Sequence, residues 1–187
     1  MCADQGRELS DAVFAEWPSE FEEAFSIPTL ADWMIHRYGV APQDVLIGSS
    51  FGGMVAQEMA SKLGNGRIVL LGSALSSEEV RGFCRWLMPI VDYAPIEMVQ
   101  RLAGKSPLLV SSMIADVDAE FLRDSCRAVG RWGGVDLRGA EVLRLHGKVD
   151  PVIVCPRGGV EVIEGAGHLL AMTHAEDCVR LIREWLG

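Results

Sequence analysis

The chain has 187 residues, of which 49% are hydrophobic and 23% charged, and its formal net charge at pH 7 is −9. This length and composition predict one folded domain with a sizeable core and exclude a largely disordered chain. The acidic balance and the lack of a Lys/Arg run argue against a nucleic-acid-binding surface, because such a surface must replace the counterions of the phosphates.

Cysteine spacing and hydrophobic runs give expectations about the compartment. The five cysteines are widely spaced and lack the close pairing of a zinc knuckle, so we expect reduced thiols, a cytoplasmic location and no bound metal. The sequence shows no signal-peptide pattern, and no apolar run approaches the roughly 18 residues that a membrane helix needs. We therefore expect a soluble protein that has no membrane partner.

Strand-like and helix-like patterns alternate in the first part of the chain. The predicted elements are a strand over 11–18 (DAVFAEWP), a helix over 29–39 with Thr29 as N-cap and Gly39 as stop, a strand over 44–48, a helix over 55–64 and a strand over 67–73. The two later strands are continuous apolar runs, which suit strands that are buried on both faces. This order predicts the α/β class, with helices on both faces of a mostly parallel sheet.

Residues 76–138 interrupt the alternation. They contain amphipathic stretches without a convincing strand, so we predict a helical cap insert within a single domain over residues 1–187. Strand patterns return at residues 141–147 and 159–168, and an amphipathic helix over 174–186 follows. We find neither internal repeats nor a low-complexity linker that would indicate a second domain.

The strand that ends near Gly48 leads into GSSFG at residues 48–52, which fits the G-x-S-x-G pattern of a nucleophile elbow. In this tight strand-to-helix turn the hydroxyl of Ser50 would stand above the sheet, and Gly48 and Gly52 would leave room where a Cβ would collide. The helix that follows would direct backbone N–H groups, including that of Phe51, toward a developing oxyanion. An ordinary Gly-Ser turn is the alternative, and the flanking strand and small-residue helix favour the elbow.

A serine nucleophile needs a base and a group that orients this base. His168 fits the base, because it directly follows a strand pattern in a glycine-rich loop. His36, His146 and His174 are better explained as structural residues on a helix, in a strand and at a helix end. Asp150 lies in the loop after the preceding strand, with an ordinary Asp-Pro turn as the alternative. The order Ser, Asp, His is the one expected for this architecture.

Three segments resemble the α/β-hydrolase superfamily. VLIGSSFGGMVAQEMA at residues 45–60 is similar to its nucleophile elbow, LRLHGKVDPV at 143–152 to its acid loop, and the sequence at 162–186 to its histidine loop and last helix. The resemblance runs from about residue 11 to the C-terminus. It implies an α/β-hydrolase fold, with the insert between the sixth and seventh strands of the family.

The same resemblance implies roles for the site residues. Ser50 would be the nucleophile, Asp150 the orienting acid and His168 the general base, and the N–H of Phe51 would stabilise the oxyanion. Water would then release the acid, and the reaction would need neither metal nor organic cofactor. The expected function is therefore hydrolysis of a small, apolar carboxylic ester through an acyl-enzyme.

Two departures from the family pattern affect this expectation. The helix usually found between Asp150 and the strand near Gly159 is reduced to a loop. The segment over 11–18 resembles the fourth family strand, and the residues before it are too few to supply a third strand and the loop that carries the second oxyanion donor. We therefore expect either an N-terminally shortened sheet, whose unpaired backbone favours a homo-oligomer, or direct pairing of residues 11–17 with residues 45–48 across the gap. Loss of one donor costs on the order of 10²- to 10³-fold in turnover.

The insert offers candidate walls for an acyl pocket in Trp86, Met88 and Met113, although packing against the sheet is the simpler explanation for each of them. Two other classes of function stay open. A catalytically silent binding or scaffold protein would keep the framework without a complete oxyanion hole, and a lyase or acyltransferase would use the same triad. Fold alone does not decide among them.

Overall fold

The structure, a computed structural model, describes residues 12–18, 21, 24–64, 66–80 and 119–187. Most of the insert predicted over 76–138 lies outside these residues, as do the pocket candidates Trp86, Met88 and Met113. No helix in the described ranges is both long and apolar enough to cross a membrane.

Strands and helices alternate along the described chain. In order they are α1 (Ile27–Tyr38), β1 (Leu46–Ser49), α2 (Phe51–Leu63), β2 (Arg67–Leu71), a 3₁₀ turn (Ser77–Glu79), α3 (Ala119–Arg131), β3 (Glu141–Gly147), β4 (Glu161–Ile163), α4 (Leu170–Thr173) and α5 (Ala175–Leu186). This is the α/β class that the alternating patterns predict.

The four strands form one parallel sheet in the order β1-β2-β3-β4. Ser49 pairs with Leu71, which in turn pairs with Leu145, and Gly147 pairs with Ile163. The carboxyl ends of all four strands therefore meet at one edge of the sheet, which is where ligands bind in open α/β sheets.

The sheet is buried on both faces, and β2 shows this most clearly. Ile68 and Leu70 belong to the core that the sheet shares with α1, α2 and α3. Val69 and Leu71 point to the opposite face and belong to the core that includes α4 and α5. Burial on both faces explains why the sequence of β2 is continuously apolar rather than alternating.

The strand predicted over 11–18 is not formed in its described residues, 12–18. Val13 is 78% exposed, so the apolar side chains of the segment do not line a buried face. Trp17 instead packs its ring against Phe51 and Phe121. The prediction was wrong because β-prone residues form a strand only where a partner strand and a buried face are available.

Helix α1 begins two residues earlier than predicted, and its N-cap is Ser26 rather than Thr29. Ser26 Oγ accepts a hydrogen bond from the N–H of Thr29 at 3.2 Å, and Thr29 Oγ1 accepts one from the N–H of Ser26 at 3.2 Å. This reciprocal pair is a capping box, with Pro28 in the first turn, where its missing N–H costs nothing. The predicted stop at Gly39 is confirmed, since Gly39 adopts a left-handed C-cap.

Candidate active site

Ser50 lies between β1 and α2 in a strained conformation, with φ 50° and ψ −118°. It is the only non-glycine residue with positive φ in the described part of the chain. Such backbone costs on the order of 1–3 kcal/mol and persists only where the surroundings impose it. Here the N–H of Ser50 donates to the carbonyl of Leu71 at 2.9 Å, and Ser73 Oγ donates to the carbonyl of Ser50 at 2.8 Å. These contacts anchor the turn to the end of β2.

Two glycines make this turn sterically possible. A Cβ on Gly48 would collide with the carbonyl of Gly52 and lie 2.5 Å from the Cα of Gly53, and a Cβ on Gly53 would lie 2.5 Å from Ser73 Oγ. A Cβ on Gly52 would reach only Trp17, at an ordinary 3.7 Å. The collision predicted for Gly52 therefore does not occur, because this residue faces outward from the turn, and Gly53 carries the second steric requirement.

The hydroxyl of Ser50 lies next to the two other side chains expected from the sequence. Ser50 Oγ is 2.8 Å from His168 Nε2, and His168 Nδ1 is 2.9 Å from Asp150 Oδ2. Asp150 is 1% exposed and His168 8% exposed, so both the base and the acid that would orient it are shielded from water. The three side chains come from the ends of β1, β3 and β4 and meet at the carboxyl edge of the sheet.

Asp150 is held as a carboxylate by hydrogen bonds. Its Oδ1 accepts from the backbone N–H groups of Val152 at 2.7 Å and Ile153 at 3.0 Å, while Oδ2 accepts from His168. Burial raises the pKa of Asp150, but the hydrogen bond and charge of His168 and the two backbone N–H groups outweigh it, so this pKa lies below its ordinary value. An ionised Asp150 requires His168 Nδ1 to carry the proton, which leaves Nε2 as an acceptor for the hydroxyl of Ser50.

The acid loop (residues 148–155) and the histidine loop (residues 164–169) are packed directly against each other. The N–H of Val149 donates to the carbonyl of Ala166 at 3.0 Å. A Cβ on Gly147 would lie 2.5 Å from the same carbonyl, so only glycine allows this approach. The close packing of these loops fixes the spacing between Asp150 and His168.

Glu79 and Val80, near the start of the predicted insert, contact the other side of the acid loop. Ile153 forms a β-bridge with Val80, and the N–H of Val154 donates to the carbonyl of Glu79 at 2.9 Å. The carboxylate of Glu79 also pairs with Arg144 of β3, with 2.7 Å between Oε2 and Nη2. The position of Asp150 therefore depends on residues about 70 positions earlier in the chain.

A second histidine contacts the carboxylate of Asp150. His146 is 1% exposed, and its Nε2 lies 3.4 Å from Asp150 Oδ2 and 3.4 Å from the carbonyl oxygen of Ile153. Burial lowers the pKa of His146, and this outweighs the opposing attraction of Asp150, so the ring is neutral at neutral pH. The sequence favoured a structural role for His146, and its place four residues before Asp150 at a strand end was the available signal.

Phe51, which follows the serine, belongs to an aromatic cluster with Trp17, Phe25 and Phe121. The ring centroids of these three residues lie 5.5, 6.5 and 6.3 Å from that of Phe51. The pocket candidates predicted from the sequence lie in the insert, and this cluster was not predicted, because its members come from segments that only the fold brings together. In the described ranges, no group of three or more His, Cys, Asp and Glu side chains is arranged to hold a metal ion.

Helix α2 begins at the same edge of the sheet. The first residue of the helix is Phe51, directly after Ser50. The N–H groups of a first helical turn have no acceptor within the helix, and they carry the positive end of its dipole. The N–H of Phe51 is therefore suited to stabilise negative charge that develops beside Ser50.

No protein-family model matches the chain, and no curated protein matches its sequence significantly. Among solved structures it is similar to a thermophilic esterase from Thermogutta terrifontis, with a TM-score of 0.71 and 20% identity over 97% of this chain and 82% of that one. A lipase-esterase related protein from Clostridium acetobutylicum gives a TM-score of 0.72 and 13% identity over 89% and 78% of the two chains. A meta-cleavage product hydrolase from Pseudomonas fluorescens gives 0.64 and 19% over 93% and 75%.

These similarities concern the fold, since the identities lie between 13% and 20%. They cover nearly all of this chain, and the structures share the parallel sheet with flanking helices. The resemblance seen in the three sequence segments is confirmed at this level: the chain has the α/β-hydrolase fold.

Proposed function

We propose that this chain is a serine hydrolase that cleaves a small, apolar carboxylic ester through Ser50, His168 and Asp150. The observation that carries the proposal is the unbroken hydrogen-bonded chain from Ser50 Oγ to His168, at 2.8 Å, and from His168 to Asp150, at 2.9 Å. The first distance suits proton transfer, the second suits a hydrogen bond that orients the base, and the elbow conformation of Ser50 presents its hydroxyl to a substrate. The esterase and hydrolase names of the similar structures support the same class of reaction.

In the first half of the reaction Ser50 Oγ attacks the carbonyl carbon of the ester while its proton passes to His168 Nε2. Asp150 stabilises the imidazolium that forms, and the N–H of Phe51 stabilises the negative oxygen. His168 then donates its proton to the departing alkoxide, and an acyl-enzyme on Ser50 remains. In the second half His168 takes a proton from water as the water oxygen attacks the acyl carbon. The bond from this carbon to Ser50 Oγ then breaks, His168 returns the proton to Ser50 Oγ, and the acid leaves.

The preference for an apolar acyl or alcohol group rests on the aromatic cluster around Phe51. Four rings packed beside the nucleophile offer a surface that gains free energy by covering apolar groups. A polar substrate would lose water at this surface without gaining hydrogen bonds.

The number of oxyanion donors affects the turnover rate more than it affects which reaction is catalysed. If the N–H of Phe51 acts without a second donor, turnover falls on the order of 10²- to 10³-fold. Acylation of Ser50 by a reactive probe is then easier to detect than steady-state turnover. A catalytically silent scaffold is the second candidate, favoured by the sequence-based expectation of an incomplete oxyanion hole.

A fluorophosphonate probe tests the proposal directly, because it phosphonylates only an activated serine. We expect the wild-type chain and Ser49→Ala to be labelled, since Ser49 is the last residue of β1 and the hydroxyl that lies against His168 is that of Ser50. Ser50→Ala should show no labelling and should lose hydrolysis of a p-nitrophenyl ester on the order of 10⁴-fold or more. A folded wild-type chain that stays unlabelled would instead establish the scaffold.

A further inference from the structure

We propose that His146 is a positioning residue for Asp150, and that its neutral imidazole donates the Nε2 proton to Asp150 Oδ2. This inference rests on the proposed function, because it assigns a role within the same triad. His146 touches neither Ser50 nor a substrate position, so it would act through the carboxylate that orients His168.

The tautomer of His146 follows from its neighbours. Its Nε2 lies 3.4 Å from Asp150 Oδ2 and 3.4 Å from the carbonyl oxygen of Ile153. An ionised carboxylate and a carbonyl can only accept hydrogen bonds, so a ring nitrogen placed between them must carry the proton. The N–H forms its hydrogen bond with the carbonyl oxygen of Ile153, and the proposed donation shares this N–H with Asp150 Oδ2, which lies at the same 3.4 Å.

The charge of the ring follows from its burial and from the groups that face it. His146 is 1% exposed, with Asp150 and the carbonyl of Ile153 favouring protonation and Arg144 and His168 opposing it. Burial is the largest of these influences and keeps the pKa of His146 below its ordinary value. A neutral donor adds a hydrogen bond to Asp150 without cancelling the negative charge that stabilises the imidazolium of His168.

The donors to Asp150 come from different sides of the carboxylate. The N–H groups of Val152 and Ile153 hold Oδ1 from within the acid loop. On Oδ2, His168 approaches from the histidine loop and His146 from β3. Donors on both oxygens fix the plane of the carboxylate, and the donor from β3 fixes it relative to the sheet. Loss of that donor would allow Oδ2 to turn away from His168 Nδ1.

The test compares His146→Leu, which removes the donor, with His146→Gln, which restores an N–H on a side chain of similar reach. His36→Gln is the matched control, since His36 is exposed on α1. The primary measurement is the downfield proton resonance of the His168 Nδ1–H, which needs no substrate. We expect it to move upfield and broaden in His146→Leu and to return in His146→Gln.

Kinetics give the second measurement. Hydrogen bonds to charged groups are among the stronger ones, so we expect kcat for a p-nitrophenyl ester to fall on the order of tenfold in His146→Leu. KM should stay within about twofold, because the residue does not reach the substrate. His146→Gln should restore most of kcat. A folded His146→Leu with wild-type resonance and wild-type kcat overturns the inference.

The wild-type chain provides a measurement that no folding defect can obscure. Its ¹⁵N-¹H correlation spectrum should show His146 as the Nε2–H tautomer at neutral pH, and a Nδ1–H tautomer or a doubly protonated ring overturns the inference.

Failure of the proposed function looks different. If the probe leaves wild type unlabelled while the His168 resonance still responds to His146→Leu, the reaction is wrong and the positioning role stands.

Discussion

The serine side and the acid side of the candidate site are held in place by different forces. On the serine side, the turn from β1 to α2 exists because Gly48 and Gly53 lack side chains where a Cβ would strike backbone or Ser73. On the acid side, the carboxylate of Asp150 is held by hydrogen bonds from backbone N–H groups and from His168. Steric exclusion is the main constraint on the serine turn, and hydrogen bonding is the main constraint on the carboxylate of Asp150.

This difference determines what each half tolerates. A steric requirement allows no side chain at the position concerned, and it does not depend on charge or pH. A polar network is shared among several donors, so removing one weakens it, and its strength depends on which groups are ionised. The two halves should therefore fail in different ways when they are changed.

The largest effect should come from the acid side. In Asp150→Asn the side chain keeps its shape, but its amide favours the wrong tautomer of His168, with the proton on Nε2 facing Ser50. We expect kcat to fall about 10⁴-fold, the order of loss seen when this change is made in a serine triad. Hydrolysis of a p-nitrophenyl ester measures it. Asp136→Asn, at an exposed ion pair with Arg138, is the matched control.

The outcome also bears on the comparison of the two sides. If Asp150→Asn retained activity within about tenfold of wild type, orientation of His168 would not depend on the carboxylate. The acid side would then be held by the packing of its two loops.

The next effect should come from the serine side and should appear as lost stability. Gly48→Ala places a methyl group against the backbone of Gly52 and Gly53, which cannot move without opening the turn. Overpacking of this kind costs about 1–3 kcal/mol in the free energy of unfolding. Urea titration measures it, and probe labelling of Ser50 should fall in parallel.

Gly66→Ala is the control for this experiment, because a Cβ on Gly66 meets nothing within 4 Å. We expect its free energy of unfolding to stay within about 0.5 kcal/mol of wild type. Equal stability of the two variants would contradict the steric account of the turn.

The serine side was largely predictable from sequence for a physical reason. Its requirements are local: a buried strand, two small residues at fixed spacing and a helix that begins directly after the serine. The predicted strand over 44–48 and helix over 55–64 appear as β1 and α2, shifted by a few residues at their ends. A C-cap at Gly64 ends α2 as expected. Adjacent residues carry all of this information.

The acid side was predictable only in part. The strand over 141–147 forms as predicted, but the pattern over 159–168 yields only the three-residue strand Glu161–Ile163, because the chain turns at Gly165 to pack against the acid loop. The bond from Val154 to Glu79 and the contact of His146 with Asp150 depend on tertiary packing. The bond to Glu79 has no signature at short spacing, and the four-residue spacing of His146 and Asp150 does not by itself distinguish a contact from an ordinary buried strand residue.

The smallest effect concerns stability at mildly acidic pH, where only the acid side should respond. The ordinary pKa of a histidine side chain, 6.5, describes His146 in the unfolded chain, and burial lowers the pKa of His146 in the folded protein. Between these two values the unfolded chain binds more protons, so the free energy of unfolding rises with pH. Stability from the neutral ring is complete above pH 6.5 and is lost as pH falls toward the folded value. Asp150, whose pKa lies below its ordinary 3.8, loses its contribution only in a more acidic window.

Urea titrations of wild type and His146→Gln from about pH 7.5 to about pH 5 isolate the contribution of His146 to the free energy of unfolding, because the other three histidines are present in both proteins. We expect the free energy of unfolding to fall less steeply with acidification in His146→Gln than in wild type. Gly66→Ala, which changes no titratable group, should follow the wild-type slope. Equal slopes in wild type and His146→Gln would mean that the ring is protonated as readily in the folded protein as in the unfolded chain. A charged His146 would then compete with His168 for Asp150, and the acid side would be a three-membered ion cluster instead of a carboxylate oriented by neutral donors.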